Sequence, residues 1–249
     1  MTKYIAEAFG TAMLILFGDG VVANVLLARS KGENSGWIVI TLGLGIAVMV
    51  AVYTVGRLSG AHLNPAVTVA LASVGAFPWT SVPGYIAAQT VGAIVGAGLV
   101  WAMYFPHWAV TQDADLKLAV FCTGPAIRRP LANFLTETIA TAAFVFGLLG
   151  IGADAQTLAK PGDINLSVVF SSGLQPLLVG ALVLGVGLSF GGPTGYAINP
   201  ARDLGPRIAH SILPIPGKRD SDWGYAWVPI AGPLVGGIIG AQLFNLLGF

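Results

Sequence analysis

Ser59-Gly60-Ala61-His62-Leu63-Asn64-Pro65-Ala66 and Thr194-Gly195-Tyr196-Ala197-Ile198-Asn199-Pro200-Ala201 are two copies of one element in a very apolar chain. They share a small hydroxyl residue, a glycine, a branched aliphatic and the tripeptide Asn-Pro-Ala. Asn before Pro starts a helix: the Asn side chain caps it, and Pro takes the first helical position, where a missing N–H costs nothing. Each start precedes only a short helix-compatible run, so the pattern predicts half-helices rather than full spans. At about 1.5 Å rise per residue, about ten residues cover roughly 15 Å, and two such stubs end to end cover a hydrocarbon core of roughly 30 Å. That arithmetic points to a pore.

Composition agrees. Of 249 residues, 55% are hydrophobic and only 9% charged, whereas soluble domains carry about 25% charged residues. The chain therefore belongs in a bilayer. A net charge of +1 offers no footprint for nucleic acid. Cys122 stands alone, which excludes an intrachain disulfide and a thiolate metal cluster. No metal site and no cofactor are expected. Met1-Thr2-Lys3 leads into an apolar run from Tyr4 to Leu27, too long for a signal-peptide core, and the run reads as a first span.

Hydropathy gives six long segments, at roughly 4–28, 36–57, 82–105, 131–152, 166–190 and 224–247, with the two Asn-Pro-Ala elements at 58–75 and 191–212. The polar stretches are Ala28 to Ser35, Phe105 to Pro130, Ala153 to Asn165 and Leu213 to Asp222. The halves repeat each other. Glu7 in Ala6-Glu7-Ala8 matches Glu137 in Thr136-Glu137-Thr138, and Gly84-Tyr85 with Gly92 and Gly96 matches Gly224-Tyr225 with Gly232 and Gly236. The offsets of 130, 135 and 140 residues drift as loop insertions would make them. The chain thus reads as one channel domain over 1–249, with repeats at approximately 1–120 and 125–249. Three spans per repeat is an odd number, so the copies must lie in opposite orientations. The short helices then enter from opposite faces, N-termini facing near the midplane.

Non-helical backbone at membrane depth must be buried in protein or line a water-filled cavity. The carbonyls of Gly60, Ala61 and His62, and of Gly195, Tyr196 and Ala197, precede the caps and are expected to line a narrow water path. The plainer alternative is two tight loops packed on other helices. Glu7 and Glu137 read as acceptors for exposed backbone N–H groups of these loops. Asp19 has no counterpart in the second half and is placed at the outer mouth. Arg202, whose counterpart is Val67, puts five fixed N–H donors and a positive charge beside the path; an ion pair with Asp203 is the structural alternative. His62 reads as hydrogen-bonded and structural. Gly92, Gly96, Gly232, Gly236 and Gly240 have the small-xxx-small spacing of close helix packing. Half-helix N-termini with about +0.5 charge each, and the Asn64 and Asn199 amides, would disfavour protons.

The two boxes, the inverted halves and Arg202 after the second box resemble the aquaporin family of membrane channels, along nearly the whole chain. Asn199-Pro200-Ala201-Arg202-Asp203, Tyr225 and the Val228-Pro229-Ile230 stretch are similar to its glycerol-facilitator branch. The resemblance implies an all-α inverted-repeat fold of six transmembrane helices and two re-entrant half-helices, and a homotetramer with one pore per monomer. It also implies a cell membrane location with both termini cytoplasmic. By position from the boxes it implies a selectivity filter of Leu44, Gly187, Tyr196 and Arg202, with Asp203 as structural support. Leu44 stands where facilitators usually have Trp, so a wider filter is expected. Positive-inside counting disagrees with this topology. It would leave Arg29, Lys31, Lys117, Arg128, Arg129, Arg207, Lys218 and Arg219 outside, and only Lys3, Arg57 and Lys160 inside.

The expected function is a passive channel for glycerol, other small neutral polyols and water that excludes ions and protons. Its partners would be these solutes and the lipid bilayer. No nucleophile–base pair, phosphate loop or metal cluster suggests an enzyme. The alternatives are a water-selective channel and a channel or carrier for small acids such as lactic acid. The latter would need coupling acids that the spans lack.

Overall fold

The computed structural model describes residues 2–158 and 166–248. Of the polar stretch expected from Ala153 to Asn165, residues 153–157 instead continue the fourth span as helix, and residues 159–165, Lys160 included, lie outside the described residues. Helix α1 (Lys3–Leu26) opens on Thr2, whose side chain accepts from the Ile5 N–H, and α2 (Trp37–Ser59) closes on Gly60. The half-helix α3 (Pro65–Ser73) follows, then α4 (Val82–Met103), the short α5 (Phe105–Val110) and α6 (Ala114–Phe121), and α7 (Pro130–Thr157). The fifth span is α8 (Leu166–Val169), a π-helical stretch at Phe170–Leu174, and α9 (Gln175–Phe190). The second half-helix is α10 (Pro200–Ile212), and α11 (Trp227–Leu247) ends the chain. Six helices among the described residues are long and apolar enough to cross a membrane.

Two further differences from the sequence expectation concern boundaries. The stretch from Phe105 to Pro130 is not a plain loop, because Asp113 caps α6 by accepting from the Asp115 and Leu116 N–H groups. The fifth span is not a uniform α-helix, since Ser171, Ser172 and Gly173 wind as a π-turn.

Close packing is bought with glycine. A Cβ on Gly92 would lie 2.1 Å from the Ala8 carbonyl oxygen, and one on Gly96 would lie 2.5 Å from that of Ala12, so α4 presses directly on the α1 backbone. The second half repeats this, with Gly236 at 2.2 Å from the Thr138 oxygen and Gly240 at 2.4 Å from that of Ala142, joining α11 to α7. Where α2 crosses α9 the contact is reciprocal. A Cβ on Gly45 would meet the Gly180 oxygen at 2.7 Å, and one on Gly180 would meet the Gly45 oxygen at 2.7 Å. A residue that touches its own repeat equivalent lies on the axis relating the copies, as in any self-complementary two-fold contact. The half-helices are exchanged: α3 packs on α11 and α10 on α4, each against the other half. Chain direction puts α3 on the face that carries the N-terminus and α10 on the opposite face. The fold is the inverted-repeat arrangement expected of the chain.

Candidate functional site

The two re-entrant turns carry the same backbone. Gly60, Ala61 and Leu63 have φ of 85°, 48° and 52°; their equivalents Gly195, Tyr196 and Ile198 have 80°, 39° and 41°. Left-handed backbone at non-glycine residues costs of order 1–3 kcal/mol each and persists only where surroundings enforce it. The enforcement is two buried carboxylates. Glu7 accepts from the His62 and Leu63 N–H groups at 3.0 and 2.8 Å. Glu137 accepts from the Ala197 and Ile198 N–H groups, both at 3.0 Å. Glu7 is also bound by the Ser59 hydroxyl at 2.6 Å and the Gln89 amide at 2.8 Å.

Each Asn sits at its helix cap. Asn64 Oδ1 accepts from the Ala66 N–H at 2.8 Å, and Asn199 Oδ1 from the Ala201 and Arg202 N–H groups at 3.0 and 3.3 Å. Their amides then cross between the loops: Asn64 Nδ2 donates to the Ile198 carbonyl at 2.9 Å, and Asn199 Nδ2 to the Leu63 carbonyl at 2.8 Å. One amide N–H of each is thereby committed and one is left over. Asn64→Ala removes a cap and a cross-loop bond, and is expected to cost about 1–2 kcal/mol, measured as a lower thermal midpoint of the purified protein.

A cavity of ≈ 1020 Å³ begins among Arg57, Ser172 and Gln175 on the N-terminal face. It passes Asn64 and Asn199 and ends at Arg202 and Tyr196. Gly60, Ala61 and His62, and Tyr196 and Ala197, lie along its wall, and Gly195 packs against Thr123. Leu44 lines the cavity beside Gly18, while Gly187 lies behind the Tyr196 ring, outside the lining. His62 is tied through Nδ1 to the Thr68 hydroxyl at 3.1 Å and packed between Phe77 and Tyr85.

The structural alternative for Arg202 fails, and Asp19 lies elsewhere than expected. Arg202 does not pair with Asp203, because adjacent residues on a helix point apart. Asp203 instead bonds Arg207 one turn on, with Nε at 2.7 Å and Nη2 at 3.0 Å, and accepts from the Thr123 N–H and hydroxyl. Arg202 Nη1 reaches Asp19 Oδ1 at 3.2 Å and the Phe121 carbonyl at 3.4 Å. Asp19 is fully buried, so it does not line a mouth as expected. No spacing rule could link positions so far apart in the chain.

Trp37 was not anticipated as a site residue. Its ring meets Tyr196 edge-on at 5.8 Å, and its Nε1 donates to the Gly187 carbonyl at 3.1 Å. It lies two helical turns before Leu44, a spacing that puts both on one face of α2. Outside the membrane segments, the Lys218 ammonium caps the last carbonyls of α10 at His210, Ser211 and Leu213. Burial there pulls its pKa down from the ordinary lysine value.

Comparison with known proteins gives concordant matches. Residues 1–244 match the family described as Major intrinsic protein. A probable glycerol uptake facilitator protein of Thermotoga maritima is 62% identical over 99% of this chain and 100% of its own length. A glycerol uptake facilitator protein of Bacillus subtilis is 53% identical over 98% of this chain and 84% of its own. The X-ray structure of the aquaglyceroporin from Plasmodium falciparum superposes with a TM-score of 0.81 at 31% identity, covering 98% of this chain and 94% of that one. Agreement runs the length of the chain rather than over one motif, and the protein is a multi-pass membrane protein of the major intrinsic protein family.

Proposed function

We propose that this protein is a passive channel for glycerol and related small neutral polyols, with water, and not an enzyme. One observation carries the reading. The cavity ends at a guanidinium whose Nε and Nη2 bond nothing among the described residues and at the aromatic ring of Tyr196. A polyol has hydroxyls along one edge and C–H groups along the other, so donors opposite a ring match both. Arg202, Tyr196 and Leu44 line the filter in this reading, with Gly187 behind the Tyr196 ring and Trp37 packed edge-on against that ring. Asn64 and Asn199 hand the solute on at the midplane, carbonyls of residues 60–62, 196 and 197 accept from it, and Glu7, Glu137 and Asp203 hold the scaffold. The names of the similar proteins support glycerol as the solute.

The whole chain is read as one channel unit with repeats at approximately 1–120 and 125–249. Exposed apolar side chains such as Ile38, Leu42 and Ile46 would face lipid or three further copies in a homotetramer. We place the chain in the cell membrane with both termini cytoplasmic. Two of the charges that count against this orientation, Arg207 and Lys117, are buried and belong to no loop surface.

Stopped-flow light scattering on proteoliposomes tests the function. Glycerol influx is expected without any ion or pH gradient. A requirement for a pH gradient would overturn the channel reading in favour of a coupled carrier.

A further inference from the structure

We infer that Asp19 sets the ionic selectivity of this filter by cancelling the charge of Arg202, so that the constriction offers hydrogen-bond donors without net charge. The inference rests on the channel reading above.

Two ion pairs lie side by side on the face opposite the N-terminus, and they are built differently. Asp203 and Arg207 are fully buried and joined by two bonds, and Arg207 donates further to the Ser221, Asp222 and Thr123 carbonyls. Such a fork–fork pair fixes geometry. Asp19 and Arg202 share one bond of 3.2 Å, and Asp19 Oδ2 is buried without a hydrogen-bond partner among the described residues. A clamp would use both oxygens; this acid uses one.

Stability does not explain the pair either. A buried ion pair seldom outperforms well-packed apolar side chains of similar size. Arg202 remains at the cavity wall, with 8% of its side chain exposed against 0% for Asp19. The donors face the path, and the counter-charge sits behind them.

Charge bookkeeping gives the consequence. Among the described residues, the charged groups joined at this constriction are Asp19, Arg202, Asp203 and Arg207, and they sum to zero. A bare arginine would attract anions and repel cations. A neutralised one does neither, and exclusion of ions then falls to desolvation and to the half-helix dipoles at the midplane. Asp19 thereby keeps small anions out, and Arg202 keeps the Asp19 carboxylate from drawing cations in.

A double-mutant cycle in proteoliposomes separates this from a structural role. Asp19→Asn keeps the shape and removes the charge. It is expected to raise nitrate influx, measured as swelling in potassium nitrate with valinomycin, by about fivefold. Arg202→Ala strands the carboxylate and is expected to raise proton leak, measured with trapped pyranine, by about fivefold. The double variant restores neutrality, and both readouts should return to within about twofold of the parent. Thermal midpoint and elution in detergent report that each variant is folded, and failure of the parent to pass glycerol in the same vesicles would sink the channel reading separately. If Asp19→Asn alone does not fold, the comparison of Arg202→Ala with the double variant decides. Parent-like nitrate influx in a folded Asp19→Asn, or a double variant that leaks protons like Arg202→Ala, overturns the inference.

Discussion

Glu7→Ala is expected to abolish glycerol influx and to cost about 3–6 kcal/mol, because two buried backbone N–H groups lose a charged acceptor worth about 1.5–3 kcal/mol each. The His62 and Leu63 N–H groups have no helical partner, and the turn around them holds positive φ at Gly60, Ala61 and Leu63. With the carboxylate gone, that strain has nothing to oppose it, and Asn64 loses the geometry from which it reaches the Ile198 carbonyl. The Gln89 amide, bound to Glu7 at 2.8 Å, loses this charged acceptor as well. Against a total stability of about 5–15 kcal/mol, the loss is large. Glu7→Gln keeps one acceptor oxygen and is expected to fall between parent and Glu7→Ala. Glu137→Ala should follow the same order, since Glu137 holds the equivalent pair of N–H groups at Ala197 and Ile198. Thermal unfolding in detergent and glycerol-driven swelling measure the two effects. A Glu7→Ala protein with parental midpoint and influx would show that the loop holds itself.

The part of this scaffold that repeats was legible in the sequence. Glu7 and Glu137 stand at matching positions, and a carboxylate inside an apolar span needs donors, which the unpaired N–H groups of the loops supply. The half-helices followed from capping chemistry, and their opposition from an odd number of spans. What does not repeat was harder. Asp19 has no twin, and its partner lies 183 residues away. Arg207 looked like a loop charge because α10 is polar in sequence, yet it is fully buried and bonded to Asp203, Thr123, Ser221 and Asp222. Trp37 sits at the start of α2, where an aromatic is ordinarily read as an interfacial anchor; only the fold of the second loop brings Tyr196 against it. The short helices α5 and α6 escaped because six or eight residues are too few for a periodicity to register.

Gly187→His is expected to lower the ratio of glycerol to water permeability by between about fivefold and 150-fold. Those limits follow from overpacking costs of about 1–3 kcal/mol, at 1.36 kcal/mol per tenfold in rate. A Cβ on Gly187 would lie 2.6 Å from Tyr196 Cζ and 3.0 Å from Thr41 Cγ2, so the ring must move. Its retreat is blocked on two sides. Trp37 meets it edge-on, and Gly191 is so close that a Cβ there would lie 2.6 Å from Tyr196 Cδ1. The remaining direction is into the cavity, toward Arg202. Glycerol, which needs the width between ring and guanidinium, is then obstructed before water is. Gly187→Ala isolates the steric part, since it adds the Cβ without a polar ring. It should lower the ratio in the same direction and by less. Stopped-flow swelling against shrinking in the same vesicles gives both permeabilities. An unchanged ratio in Gly187→His would mean that solutes pass elsewhere than between Tyr196 and Arg202.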